Sequence, residues 1–198
     1  VGLEFHGALG KALNRSHYDQ GWHATSTLGV IGTAGACARL MKLDETRFAH
    51  VLNLAVSSCA GTKVQFGSMA KPLHAGLAAK NAIESAKLGA AGVEGHVNAF
   101  EGPMGLMQMY GGPSAPGWEA AFKVLGGTLA IERQGLTVKR FPCCAATHRA
   151  LDCVISLMEK YDFVADDVAS VDVQVRAGHI QNLRYNNPNN EFEARFSM

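Results

Sequence analysis

Charge is scarce in this sequence. Only 18% of its residues are Asp, Glu, Lys or Arg, and the formal net charge is +1. That balance gives no reason to expect nucleic acid or an anionic membrane surface as a partner. It also suggests that much of the surface is covered by something else. Long apolar runs are missing too, and none approaches the ~20 residues of a membrane span. The five cysteines (Cys37, Cys59, Cys143, Cys144 and Cys153) are odd in number and irregularly spaced. Without a signal-peptide pattern they read as thiols of a reduced, cytoplasmic compartment rather than as a disulfide framework. C-x-x-C is absent, and the adjacent Cys143 and Cys144 are poor joint ligands, so no metal is expected. Neither G-x-G-x-x-G nor a Walker pattern occurs, so nothing points to a nucleotide cofactor.

Apolar residues, by contrast, make up 47% of the chain, and there are 22 glycines, many beside Ala or Ser. Such a chain can build a sizeable core with closely packed helices. Helical spacing runs through Val1, Leu3, Phe5, Ala8, Leu9, Ala12 and Leu13. Residues 14–20 are polar and read as a loop. A helix of small residues follows through Leu28 and Ala36, with Thr25 or Ser26 as its cap. Asp44 is a cap for a helix running to about Ser58. Pro72 suits the first turn of an Ala- and Leu-rich helix ending near Gly89 or Gly92. Residues 93–117 are rich in loops, with Met104, Met107 and Met109 as core filler. Residues 132–139 alternate loosely, as a strand does, and Ala145–Tyr161 is an amphipathic helix. Val171, Val173 and Val175 alternate with Asp172, Gln174 and Arg176, the pattern of a half-buried strand. The expected fold is mainly α: an all-helical domain over residues 1–131, then part of a smaller α+β domain over 132–198. The chain opens inside a helical pattern and stops at Phe196-Ser197-Met198, which reads as a fragment of a longer protein.

The stretch Met69-Ala70-Lys71-Pro72-Leu73-His74-Ala75-Gly76 is where chemistry concentrates. Lys71 lies at a helix N-terminus, whose unpaired N–H groups favour an anion, and His74 follows on roughly the same face. Together they can hold a carboxylate and move a proton; the alternative is a surface lysine and a core histidine. His23 precedes the small-residue helix, either as a site group or bonded to a loop carbonyl. Cys144 sits ahead of a helix start that carries His148, and Lys139 lies just upstream. A helix N-terminus lowers a thiol pKa, yet no acyl-transfer triad accompanies Cys144. Imidazoles and lysines at helix starts suit an anionic substrate and proton transfer.

Four stretches in order resemble the MmgE/PrpD family: Gly21-Trp22-His23-Ala24-Thr25, Lys71-Pro72-Leu73-His74-Ala75-Gly76, Phe100-Glu101-Gly102, and Lys139-Arg140-Phe141-Pro142-Cys143-Cys144-Ala145-Ala146-Thr147-His148. The family includes 2-methylcitrate dehydratase, cis-aconitate decarboxylase and iminodisuccinate epimerase. The resemblance implies a helical domain carrying a smaller α+β lid, with the site between them. It implies His23 and Lys71 as catalytic residues, and His74, Lys139, Cys144 and His148 as substrate-binding ones. It further implies a small polycarboxylate substrate, no metal or organic cofactor, and a homodimer. The activity expected is that of a 2-methylcitrate dehydratase-like hydro-lyase. The alternatives are a dicarboxylate epimerase, or an inactive fragment that only packs with partners. In the family's decarboxylase a histidine stands in the lid motif close to Cys144, and that departure counts against decarboxylation here.

Overall fold

The computed structural model describes residues 1–112 and 114–198. These form two compact units: Val1–Gln65 with Ala70–Leu136, and Phe66–Met69 with Thr137–Met198. The first is mainly helical, while in the second helices alternate with long irregular stretches; among the described residues the sole β pairing is a bridge between Trp22 and Thr62.

The first unit holds α1 (Gly2–Leu13), α2 (Ser16–Asp19), α3 (Ala24–Leu40), α4 (Glu45–Val56), α5 (Ala70–Ala90), α6 (Trp118–Phe122) and α7 (Ala130–Gln134). α3 is central, packing on α1, α4 and α5. Its composition explains why: Leu28, Val30, Ile31, Ala34 and Ala38 are all buried, and apolar or small residues surround it on most sides. α5 contributes Ala78, Ala82 and Ala86, spaced by four along one face. Side chains this small let helices approach closely. At Gly32 a Cβ would come within 2.9 Å of the Gly2 carbonyl, and at Gly89 within 2.4 Å of Val51 Cγ2. Asp44 caps α4, its Oδ1 accepting from the Arg47 amide at 2.8 Å.

Residues 14–20 are not the expected loop. They contain α2, and His17 is fully buried. Its burial is possible because both ring nitrogens are used: Nδ1 donates to the Tyr110 carbonyl at 2.9 Å, and Nε2 lies 2.7 Å from Thr27 Oγ1. The cap of α3 differs as well. His23 holds that position, without a side-chain capping bond, while Ser26 is buried one turn in. Of the three methionines expected as core filler, Met107 packs against the core, whereas Met104 and Met109 are exposed on a turn that includes the π-helical residues Met107–Gly111.

The second unit contains α8 (His148–Tyr161), α9 (Ala177–Ile180) and α10 (Glu191–Ala194). Phe66 stacks on Phe196 at 4.9 Å, and Tyr185 donates from its hydroxyl to the Phe66 carbonyl at 2.8 Å. The two expected strands are absent. Residues 130–134 are helical, and 135–139 are irregular. Residues 171–175 pair with no neighbour, and Val171 and Val173 are exposed. Alternation marks a chain able to bury one face, but a strand exists only within a ladder. Here Val173 and Arg176 instead line a groove with Arg149, Cys153, Val154 and Leu157 of α8.

Candidate active site

The site is built where two helices of the first unit begin. α3 starts after His23, and α5 starts at Ala70, so Lys71 lies in its first turn and His74 one turn further on. A short backbone clip accompanies their packing: the His23 amide donates to the Gly61 carbonyl at 3.0 Å, and the Lys63 amide to the Gly21 carbonyl at 2.7 Å. His23 Nδ1 and His74 Nδ1 then meet at 2.9 Å, with ring centroids 5.2 Å apart. Both side chains are buried, while Lys71 is half-buried.

Gly61 makes this contact possible. Its φ is +108°, a conformation that side chains resist, and a Cβ there would lie 2.8 Å from Ser26 Oγ and 3.2 Å from His74 Nδ1. The electrostatics follow from the burial. Desolvation, then the Lys71 ammonium, then His74 push the His23 pKa down to about 4. Desolvation and then Lys71 lower that of His74. Both imidazoles are therefore neutral near pH 7. A neutral buried imidazole is a competent base, and a neighbouring ammonium favours an anion.

Lys139, Cys144 and His148 belong to the second unit. Lys139 is exposed, and its Nζ donates to the Cys143 carbonyl at 2.8 Å. Cys144 is half-buried, its amide bonded to the Arg195 carbonyl at 2.9 Å. His148 opens α8, edge-on to Phe141 at 5.3 Å, with its Nε2 buried and unpartnered. The structure thus brings His23, Lys71 and His74 together in one unit, and gathers the other three around the turn before α8 in the other.

Three features of the first unit escape a reading of the sequence. Gly61 reads only as the end of a helix. Lys63 is buried with its Nζ 3.7 Å from the centre of the Tyr18 ring, and nothing local announces that. The His17–Thr27 pair reaches the site through Thr27 Oγ1, 3.3 Å from the His23 carbonyl. Glu101, in the third of the four family-like stretches, lines an apolar cavity of about 270 Å³ with Phe5, Leu9, Ile31 and Trp118, which shares no lining residue with the histidine cluster. Among the described residues, no three His, Cys, Asp or Glu side chains stand close enough to hold a metal ion.

Residues 1–119 match the family model of the MmgE/PrpD N-terminal domain, and residues 141–198 that of the MmgE/PrpD C-terminal domain. The chain belongs to the MmgE/PrpD family. Among curated MmgE/PrpD relatives, the human (Homo sapiens) cis-aconitate decarboxylase is 28% identical over 203 residues, covering 100% of this chain and 41% of its own length. The mouse (Mus musculus) enzyme of the same name is 26% identical, with the same coverage. That of Aspergillus terreus is 25% identical over 166 residues, covering 81% of this chain and 34% of its own. The chain therefore spans about two-fifths or less of the length of these relatives.

Proposed function

We propose that the complete protein is a cofactor-independent lyase of a small di- or tricarboxylate, and most simply a 2-methylcitrate dehydratase-like hydro-lyase. The observation that carries this reading is the neutral His23–His74 pair beside Lys71. A carbon next to a carboxylate is a weak acid. Its proton leaves only if a positioned base accepts it and a fixed cation stabilises the enediolate charge that develops. His23 is that base, and Lys71 is that cation. Hydroxide then leaves the neighbouring carbon as water, taking the proton that His23 has gained, so that the alkene forms and His23 returns to its neutral state. Lys139, Cys144 and His148 are assigned to the substrate by resemblance, as is a homodimeric state. Five free thiols fit a cytoplasmic setting.

The names of the relatives favour a second reading, decarboxylation of cis-aconitate. There the C–CO₂ bond breaks, and the resulting carbanion takes a proton from a donor already protonated at neutral pH, a part open to the Lys71 ammonium beside the two neutral imidazoles. Epimerisation would use the same base and return the proton to the opposite face. Incubation of the complete protein with methylcitrate, citrate, cis-aconitate and aspartate-derived diacids in deuterated water separates the three. A new conjugated alkene with no carbon dioxide is expected. Carbon dioxide release would establish the decarboxylase, and deuterium gained with inverted configuration the epimerase. Turnover of none of these acids would overturn the reading.

A further inference from the structure

We propose that His74 is a positioning residue whose Nδ1 accepts the Nδ1–H of His23, holding the His23 ring in the neutral tautomer that leaves Nε2 as the base. The assignment rests on the functional reading above, which makes His23 the base and so places the bridging proton on its Nδ1; the contact of the two Nδ1 atoms at 2.9 Å stands without that reading.

The geometry sets the terms. Two imidazole nitrogens 2.9 Å apart share one hydrogen bond, so one must be N–H and the other a lone pair. The two rings are then locked in complementary tautomers. If the bridging proton sits on His23, its Nε2 is a lone pair and His74 carries its own proton on Nε2. If it sits on His74, the His23 Nε2 is an N–H and cannot accept anything. A second proton on the bridge would set two N–H groups face to face beside an ammonium, and burial together with Lys71 works against it. One bridging proton thus decides whether His23 can act as a base at all.

The surroundings hold the bridge in place. The His23 backbone is fixed from both sides, its amide on the Gly61 carbonyl and its own carbonyl accepting from the Ser26 and Thr27 amides at 2.8 and 3.1 Å. Gly61 leaves room for the His74 ring, whose Nδ1 would lie 3.2 Å from any Cβ there. The identity of residue 74 also matters. A carboxylate would orient His23 equally well, but it would neutralise the ammonium of Lys71 nearby. A neutral imidazole orients the base and leaves the cation's charge for the substrate. When His23 takes a proton at Nε2, the bridge becomes a charge-assisted bond to the same acceptor.

The test has a spectroscopic arm and a kinetic arm, both on the complete protein. Long-range ¹H–¹⁵N NMR of labelled histidines, with His23 assigned by the signal lost in His23→Ala, should show His23 protonated at Nδ1 and His74 at Nε2. In His74→Ala, His23 should move toward the Nε2–H form. In His74→Asn, whose side-chain oxygen can stand near the original Nδ1, it should move back. A positioned base supplies roughly 10²–10⁴-fold, so kcat should fall at least about 10-fold in His74→Ala with little change in KM, and His74→Asn should regain most of that loss. Nε2–H on His23 in the wild-type protein would overturn the proposal, as would wild-type kcat in His74→Ala. A raised KM with kcat intact in that variant would also overturn it, marking His74 as a direct substrate contact. Should the protein turn over no polycarboxylate, the functional reading falls, and the NMR arm still decides the tautomer. Should His74→Ala fail to fold, the wild-type spectrum and His74→Asn decide it.

Discussion

Gly61→Ala should be among the most damaging single-methyl changes in the chain, because two independent costs meet at that position. The backbone there has φ +108°, and a residue with a side chain pays about 1–3 kcal/mol to hold such a conformation. The new methyl would also press on Ser26, 2.8 Å from its Oγ and 2.9 Å from its Cβ. Ser26 is buried on α3 and cannot swing clear, so overpacking adds ~1–3 kcal/mol. The lower entropy of an unfolded chain with Ala recovers only about 0.4–1 kcal/mol. A net loss of roughly 1–5 kcal/mol, centred near 3, is expected, against about 5–15 kcal/mol for a domain of ordinary stability. Urea unfolding of the 198-residue chain measures it, and a double-mutant cycle with Ser26→Gly separates the two costs. Removing Cβ and Oγ from residue 26 should recover ~1–2 kcal/mol of coupling and leave the backbone cost in place. A loss below about 0.5 kcal/mol for Gly61→Ala, or zero coupling to Ser26, would refute the reasoning that backbone strain and a clash with Ser26 meet at this position.

Acid should weaken the fold through His23. Its pKa is about 4 in the folded chain, against 6.5 when unperturbed, so between those values the unfolded chain binds the proton first. The stabilisation is therefore complete above about pH 6.5, lost progressively toward pH 4, and worth ~3 kcal/mol at most from this residue. His74 contributes in the same direction. Urea midpoints from pH 7.5 to 4 should fall less steeply in His23→Asn than in the wild type, and equal slopes would show that His23 titrates normally. Lys71→Met in the complete protein should lower turnover by roughly 100-fold or more if the charge acts in the transition state. It should also move the acid limb of kcat/KM, expected near pH 4 if His23 is the base, upward, because the ammonium that depresses His23 is gone. Unchanged kinetics with unchanged melting would make Lys71 an ordinary surface residue.

Where local pattern and tertiary packing agree, the fold is legible in the sequence. The apolar periods of α1, α4, α5 and α8 and the cap at Asp44 need nothing beyond neighbouring residues. Packing hides the rest. His17 sits in a polar stretch, yet its two ring partners, Thr27 and Tyr110, come from distant parts of the chain and allow full burial. The alternating valines at 171–175 have the side-chain pattern of a strand, and alternation carries no information about whether a partner is there to pair with them. At the candidate site, helix starts single out His23, Lys71 and His74. The contact of two imidazoles 51 residues apart is a product of α3–α5 packing, and no local signal encodes it.

The clip between Trp22 and Thr62 joins segments about forty residues apart, with all of α3 and α4 between them. Closing a loop of that length costs chain entropy before any contact rewards it. The histidine pair therefore exists only where α3 and α5 are docked against each other. A loosened form that keeps its helices but loses side-chain packing would give a near-native far-ultraviolet circular dichroism signal with no site at all. For this chain, then, the tautomer signal of His23 reports on native tertiary structure, whereas helix content reports only on the local step that precedes it.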